Sequence, residues 1–333
     1  MNIFYTSDDN FVPQIAAGIC SVCENNKELD VLCFYIGAYN ISEGNKIRLL
    51  DLASKYKRQL FFVDISNLKD KIGFDFDTLG WKNVVLARLL IDDLLPLEVN
   101  KVIYLDGDTI VRGALQELWE IDMEDVVLGA SIEPTVNKKR KESLGLKGKS
   151  YFNSGVLLIN LERWRAEGTG KKILKYYSNK QGRLFAPDQD AINGALEGNI
   201  YVLSPKYNAY NIFWYYPYRF LKKLNEPAGY ISKEEYQIAK KDPIIVHYLG
   251  EERPWRKGTT HKYKKDYFKY LNKTEWKNTE LETGWELYFV LYKMFLVILK
   301  PFPYIRYKII DFLIPLFMKI RAKKVKERSK ENG

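Results

Sequence analysis

Short continuous apolar runs alternate with helix-period segments from the first residues of this chain, and that alternation restricts what it can fold into. Ile3-Phe4-Tyr5-Thr6, Val31-Leu32-Cys33-Phe34-Tyr35-Ile36 and Leu60-Phe61-Phe62-Val63 are apolar on both sides of a strand's pleat. Residues 12–25 and 42–57, which separate them, carry apolar positions at helical spacing. Strands buried on both faces and joined by helices make a mostly parallel sheet with helices on either side. The spacing predicts another helix over 84–95, stopped by Pro96, and a fourth strand over 101–105. Further strands are expected at 126–131, 155–159, 201–203 and 244–248. In open α/β sheets ligands gather outside the C-terminal strand edges, so residues just beyond these strands carry the functional interest.

The 333 residues suffice for one large α/β domain and a smaller appendage. With 24 Tyr, 17 Phe and 7 Trp the chain is no disordered segment. Its three cysteines, Cys20, Cys23 and Cys33, exclude a disulfide scaffold. No basic n-region precedes Asp8-Asp9, so a secretory signal is not expected and the cytoplasm is the expected compartment.

The net charge of +10 is concentrated at the C-terminal end. Residues 253–277 carry nine Lys/Arg against two acids, and 319–333 carry seven against two. The remainder is near neutral, unlike a nucleic-acid binder with basic residues spread over its recognition face. Residues 285–318 are strongly apolar, but charges such as Glu286, Lys293 and Lys300 interrupt them. Their longest uncharged run is seven residues, 312–318, whereas a spanning helix needs about 20. Pro301, Pro303 and Pro315 divide the segment, and Lys293 and Lys300 are spaced to share a helix face. Such a segment, followed by a basic run, reads as amphipathic helix lying on an anionic membrane surface. The alternative is an apolar tail packed on the domain. The expected organisation is a catalytic domain over 1–256, a basic linker over 257–284 and a membrane-associating segment over 285–333.

Asp106-Gly107-Asp108 closes the fourth strand. Two carboxylates flanking a glycine can converge on a hard divalent cation, which would neutralise a diphosphate leaving group. A strand-to-turn acidic pair explains the motif equally well. Its fifth and sixth positions, Ile110 and Val111, exclude an EF-hand loop. His247 ends another apolar strand, either as a structural histidine or as a third ligand beside two carboxylates. His261, in a Lys- and Tyr-rich stretch, reads as a surface residue. Arg88 lies in an apolar run and requires an anionic partner, a carboxylate or a ligand. Asp8-Asp9-Asn10 follows the first strand, as a helix cap or as a carboxylate and amide facing a uracil ring. Gly148-Lys149-Ser150 lacks the rest of a P-loop, and no GxGxxG follows the first strand. Cys20-x-x-Cys23 falls inside a helix, where core packing is expected.

Together, in this order, these pieces resemble the family 8 glycosyltransferases, closest to the bacterial lipopolysaccharide α-galactosyltransferases. The resemblance is carried by Tyr5-Thr6-Ser7-Asp8-Asp9-Asn10, Leu86-Ala87-Arg88-Leu89, Val102-Ile103-Tyr104-Leu105-Asp106-Gly107-Asp108 and Tyr151-Phe152-Asn153-Ser154-Gly155. It continues through Asp188-Gln189-Asp190 and His247-Tyr248-Leu249-Gly250-Glu251-Glu252-Arg253-Pro254-Trp255. It implies a GT-A fold and a metal-dependent, configuration-retaining transfer from a UDP-hexose, galactose or glucose, to a glycan or glycolipid hydroxyl. By position, Asp106, Asp108 and His247 would hold Mn2+ or Mg2+, and Asp8 and Asn10 the uridine. Gly250 and Arg253 would meet the diphosphate, and Gly107 is a further donor-binding position. The family pattern has Lys where Arg253 stands, so a planar fork replaces a point charge. Arg88, Asn153, Ser154, Asp188 and Gln189 would surround the donor sugar. Gln189, Asp190 and Asp188 are the candidate catalytic residues, Gln189 being a poor nucleophile as an amide. By position the 73–83 loop would close over donor and acceptor with Trp81 stacking on a sugar ring, or it is an ordinary connecting loop, and Glu133 would face the acceptor. The expected place of action is the inner face of the cell membrane. Two other readings compete, a metal-dependent sugar nucleotidyltransferase and a non-enzymatic membrane adaptor.

Overall fold

A computed structural model describes residues 1–197 and 199–331 of the chain. Its strands are β1 (Asn2–Asp8), β2 (Cys33–Tyr39), β3 (Gln59–Asp64), β4 (Lys101–Leu105) and β5 (Thr109–Val111). They continue as β6 (Leu128–Ile132), β7 (Phe152–Asn160), β8 (Tyr201–Val202) and β9 (Ile245–His247). Among the described residues, seven form one sheet in the order β3-β2-β1-β4-β7-β6-β8. The pairs β1–β2, β2–β3, β1–β4 and β6–β8 are parallel, and β7 runs antiparallel to β4 and β6. The expected mostly parallel α/β sheet is therefore present.

The continuous apolar runs are explained by two separate cores. Ile3, Tyr5, Ile103 and Leu105 point to one face, beneath the Val12–Asn25 helix. Phe4, Val102 and Tyr104 point to the other, against Leu86–Leu95 and the Pro187–Leu196 helix. Each fully buried Ile or Phe contributes roughly 1.5–3 kcal/mol by leaving water, so polar substitution on either face of these strands would be costly.

Several expectations change. The 84–95 stretch winds as a 3-10 helix, Asn83–Leu90, before one short α-helix, Ile91–Leu94. Within it, the Arg88 Nε donates to the Val85 carbonyl at 3.1 Å, so a side chain takes up a main-chain acceptor. The supposed linker, 257–284, is built into the domain. Tyr263, Tyr267, Tyr270, Leu271 and Trp276 enter the first core, while Asp266 pairs with Arg112 at 3.0 Å. Aromatic side chains take the inner face of that segment and leave its lysines to water. His261 is buried as well, packed on Trp214 and Tyr248 with ring centroids 5.3 and 4.8 Å away. Burial pushes its imidazole down to about 3, the nearby Lys262 adding to the effect.

The C-terminal segment forms two helices, Glu286–Ile298 and Pro303–Glu331. The first stops before Lys300, so Lys293 and Lys300 do not share a helix, and the second runs on through Pro315. No helix among the described residues is long and apolar enough to cross a membrane. Of the basic run 319–333, the last two residues lie outside the described residues.

Candidate active site

The central strand β4 delivers Asp106 and Asp108 to the sheet edge, and a long-range pairing supplies the third group. β5 pairs antiparallel with β9, with Thr109 opposite His247, so the imidazole arrives beside both acids. The three donor atoms lie within 4.8 Å of one another. His247 Nε2 stands 3.2 Å from Asp108 Oδ1 and 3.7 Å from Asp106 Oδ2.

Each donor is oriented by a second partner. Asp106 Oδ1 accepts from Arg88 at 2.7 Å and from Tyr104 Oη at 2.8 Å, which leaves Oδ2 facing the imidazole. Asp108 Oδ2 accepts from Arg253 at 3.1 Å, which leaves Oδ1 facing it. His247 Nδ1 donates to Asn208 Oδ1 at 2.9 Å, while Asn208 Nδ2 donates to Asn153 at 2.8 Å. With Nδ1 committed, Nε2 is the atom turned toward the acids, as is usual in metal-ligating histidines.

The donor set fits a hard divalent cation. Nε2 is buried, and despite the 3.2 Å approach it has no hydrogen-bond partner of acceptable geometry among the described residues. Gly155 lines the same space, where an added Cβ would lie 2.3 Å from His247 Cε1 and 2.8 Å from Asp106 Oδ2. Two carboxylate oxygens and an imidazole suit Mn2+ or Mg2+ better than a thiolate-seeking ion. Burial opposes charge on Asp108, but His247 and Arg253 outweigh it and hold the carboxyl below its usual range. Burial likewise opposes charge on His247, and Asp108 followed by Asp106 outweighs it, so the imidazole pKa is raised.

Arg88, only 3% exposed, has found its anions in Asp106 and Asp188, the latter at 3.2 Å. It also donates to the Ser154 carbonyl at 2.7 Å and lies over the Tyr104 ring. Ser154 Oγ donates to Asp188 at 2.8 Å, and Ser154 N donates to Gln189 Oε1 at 3.0 Å. Burial raises the Asp188 pKa, against the opposing pull of Arg88. Gln189 Nε2 donates to Glu133 at 3.0 Å and to Tyr151 Oη at 3.1 Å, and Asn153 Nδ2 donates to Glu133 at 2.9 Å. Asn153, Ser154, Asp188, Gln189 and Glu133 therefore form one connected wall beside the three donors.

Asp190 stands apart from that wall's open side. It is 1% exposed, and its oxygens accept from Arg140, Tyr151 and the Ala186 N–H. Asp8 ends β1 paired with Lys82, while its buried Oδ1 has no hydrogen-bond partner among the described residues. Asn10 is exposed beside it. Asp9, not Asp8, ties the next loop, accepting from Ser42 and Asn45. Trp81 donates to the Phe185 carbonyl at 3.3 Å. Gly250 adopts φ +88°, a left-handed turn that admits glycine most readily. Gly107 passes so close to Phe11 and Ile15 that a Cβ there would lie under 3.0 Å from both.

Sequence reasoning missed Asn208, Tyr104, Arg140 and Gly155 as site residues. A glycine inside a strand signals close approach of another group, and that clue was available at Gly155. Nothing local marks Asn208.

The fold and this edge site define a glycosyltransferase of the GT-A class. Residues 2–259 match the model of glycosyl transferase family 8, and the chain belongs to that family. General stress protein A of Bacillus subtilis is 26% identical over 279 residues, 83% of this chain and 94% of that one. Lipopolysaccharide 1,2-glucosyltransferase of Escherichia coli K12 is 26% identical over 282 residues, 84% and 79% of the two chains. In structure the chain resembles galactosyltransferase LgtC, solved with donor and acceptor sugar analogues, at a TM-score of 0.71. That likeness spans 86% of this chain and 99% of the other at 24% identity, and it carries the fold.

Proposed function

We propose that this enzyme transfers a hexose, galactose or glucose, from its UDP-sugar to a hydroxyl of a glycan or glycolipid in cell-surface polysaccharide synthesis, with retention of configuration. The observation that carries this reading is the convergence of Asp106 Oδ2, Asp108 Oδ1 and the unpartnered His247 Nε2. The lipopolysaccharide glucosyltransferase relative supports the class of acceptor.

Those three atoms would hold Mn2+ or Mg2+, which supplies neutralising charge to the diphosphate as UDP departs. Arg253 adds a guanidinium at the same place, with a buried Nε free of hydrogen bonds among the described residues. The glycine turn at Gly250 lets main chain approach the phosphates, whereas the absent Cβ of Gly107 makes room for Phe11 and Ile15. Asp8 offers its vacant Oδ1 to the uracil N–H, and Asn10 lies beside it. Arg88, Asn153, Ser154, Asp188 and Gln189 shape the donor-sugar wall. Glu133 stands at the acceptor side, with the loop bearing Trp81.

Of the three candidate catalytic residues, we assign Gln189 to the side of the anomeric carbon, because the two carboxylates are spent on other partners. Asp188 fixes Arg88 and Ser154, and Asp190 fixes Tyr151 and Arg140. Same-face attack then needs no protein nucleophile. The departing phosphate accepts the acceptor hydroxyl's proton, and prearranged donors stabilise its charge. UDP is expected to raise the melting temperature with Mn2+ present and much less without it. Screening UDP-sugars for UDP release then identifies the hexose; no Mn2+-linked UDP affinity would refute the proposal.

The enzyme acts at the inner face of the cell membrane. Its last two helices leave Leu287, Val297 and Phe312 exposed by 71%, 64% and 79%, beside a basic end. An amphipathic surface of this kind adsorbs to anionic lipid. The protein is expected to sediment with vesicles containing phosphatidylglycerol and less so with neutral ones, the difference shrinking in high salt. Equal recovery in the supernatant with both would remove this part.

A further inference from the structure

The last helix, Pro303–Glu331, makes polar side-chain contacts with the domain through Arg306 and Asp311, on the two sides of the site. Arg306 is 2% exposed, donates to the Tyr215 carbonyl and lies 4.3 Å from the Tyr216 ring centroid. Tyr215 donates its hydroxyl to Glu252, whose other oxygen accepts from Asn211 at 3.3 Å. Glu252 is 5% exposed and directly precedes Arg253, the guanidinium that holds Asp108. A buried carboxylate with two fixed donors cannot shift without leaving one of them unpaired, so it locks the turn that carries Arg253.

Five residues further along the same helix, Asp311 accepts from Asn137 Nδ2 at 2.8 Å. Asn137 caps the Lys138–Ser143 helix through the Arg140 N–H at 2.9 Å. Arg140 in turn grips Asp190 and Tyr151, and Tyr151 receives Gln189. One helix thus reaches the diphosphate side through Arg306 and the Gln189 side through Asp311. An attachment serving adsorption alone would need neither polar contact.

We propose that the last helix is a two-point brace of the active site, in which Arg306 positions the Gly250–Arg253 turn and Asp311 positions the Gln189 wall. Neither is a catalytic residue, since each acts through others. The inference rests on the UDP-sugar reading above for what the two sides bind.

Titration of UDP and of uridine into the full-length protein with saturating Mn2+ tests the first point. Arg306→Met keeps an apolar stem over Tyr216 and removes the guanidinium. It should weaken UDP roughly tenfold, the usual effect of removing an outer orienting group, and leave uridine affinity unchanged. Arg306→Lys should recover part of the loss. Asp311→Ala should leave UDP affinity alone and lower kcat for UDP-glucose hydrolysis about tenfold. Should Arg306→Met not fold, Tyr215→Phe cuts the same link by a single hydroxyl and should show the same UDP-against-uridine split. Wild-type values in these variants would overturn the brace, as would equal weakening of UDP and uridine in step with a lower Tm. A wild-type protein that binds no UDP would overturn both the brace and the proposed function; one that binds UDP, with unaffected variants, overturns the brace alone.

Discussion

Asp108→Ala is expected to keep the fold and to turn over a UDP-hexose about a hundred- to a thousandfold more slowly than wild type. Asp108 is 8% exposed, and its two oxygens divide their work between His247 and Arg253. Its loss removes one anionic donor and leaves the Arg253 guanidinium without its carboxylate. Asp106 cannot take over, because Arg88 and Tyr104 already occupy its Oδ1. The main chain at 108 stays in place, since its carbonyl still accepts from Tyr248 N at 2.8 Å. The loss corresponds to about 3–4 kcal/mol of transition-state stabilisation. UDP release at saturating Mn2+, read beside a thermal melt, separates lost chemistry from lost fold. Asp108→Asn should be almost as slow, because it keeps the shape and removes the charge. Undiminished turnover in Asp108→Ala would end the case for a cation at this edge.

Gly155→Ala should be as damaging without removing any polar group. A Cβ at 2.3 Å from His247 Cε1 lies far inside contact distance, and the imidazole has nowhere to retreat. His247 is 1% exposed, pinned by Asn208 and packed edge-on against Tyr210. The ring must rotate away from the acids, or β7 must shift from β4, where Leu105 faces Val156. Overpacking of this kind costs about 1–3 kcal/mol of stability. Displacing the ring by an ångström or more costs on the order of a hundredfold in rate. The expected result is a folded protein with a lowered melting temperature and a Mn2+ affinity weakened along with its turnover. A variant with native Mn2+ affinity would mean that Gly155 is only a packing residue.

The order of helices and strands could be read before any coordinates because the signals are local. Ile3 to Thr6 or Val102 to Leu105 must be buried on both faces wherever they lie, and Asp106 and Asp108 follow directly on such a run. The 84–95 stretch misled for the same reason. Its apolar spacing is shared by α and 3-10 windings, and Arg88's bonds to Val85, Ser154 and two carboxylates are formed across the fold. His261 and the 257–284 segment misled because lysines dominate their composition, while the aromatic residues between them decide burial.

The chain's own residues determined that a parallel α/β sheet would present an acidic pair at its edge, because periodicity and strand ends act over a few neighbours. Only tertiary structure decided which oxygen of each acid is free, that Asn208 sets the imidazole, that Asp190 is spent on Arg140 and Tyr151, and that the last helix reaches both walls. Those choices depend on contacts between residues as many as 174 positions apart, as with Asn137 and Asp311, and no local pattern encodes them.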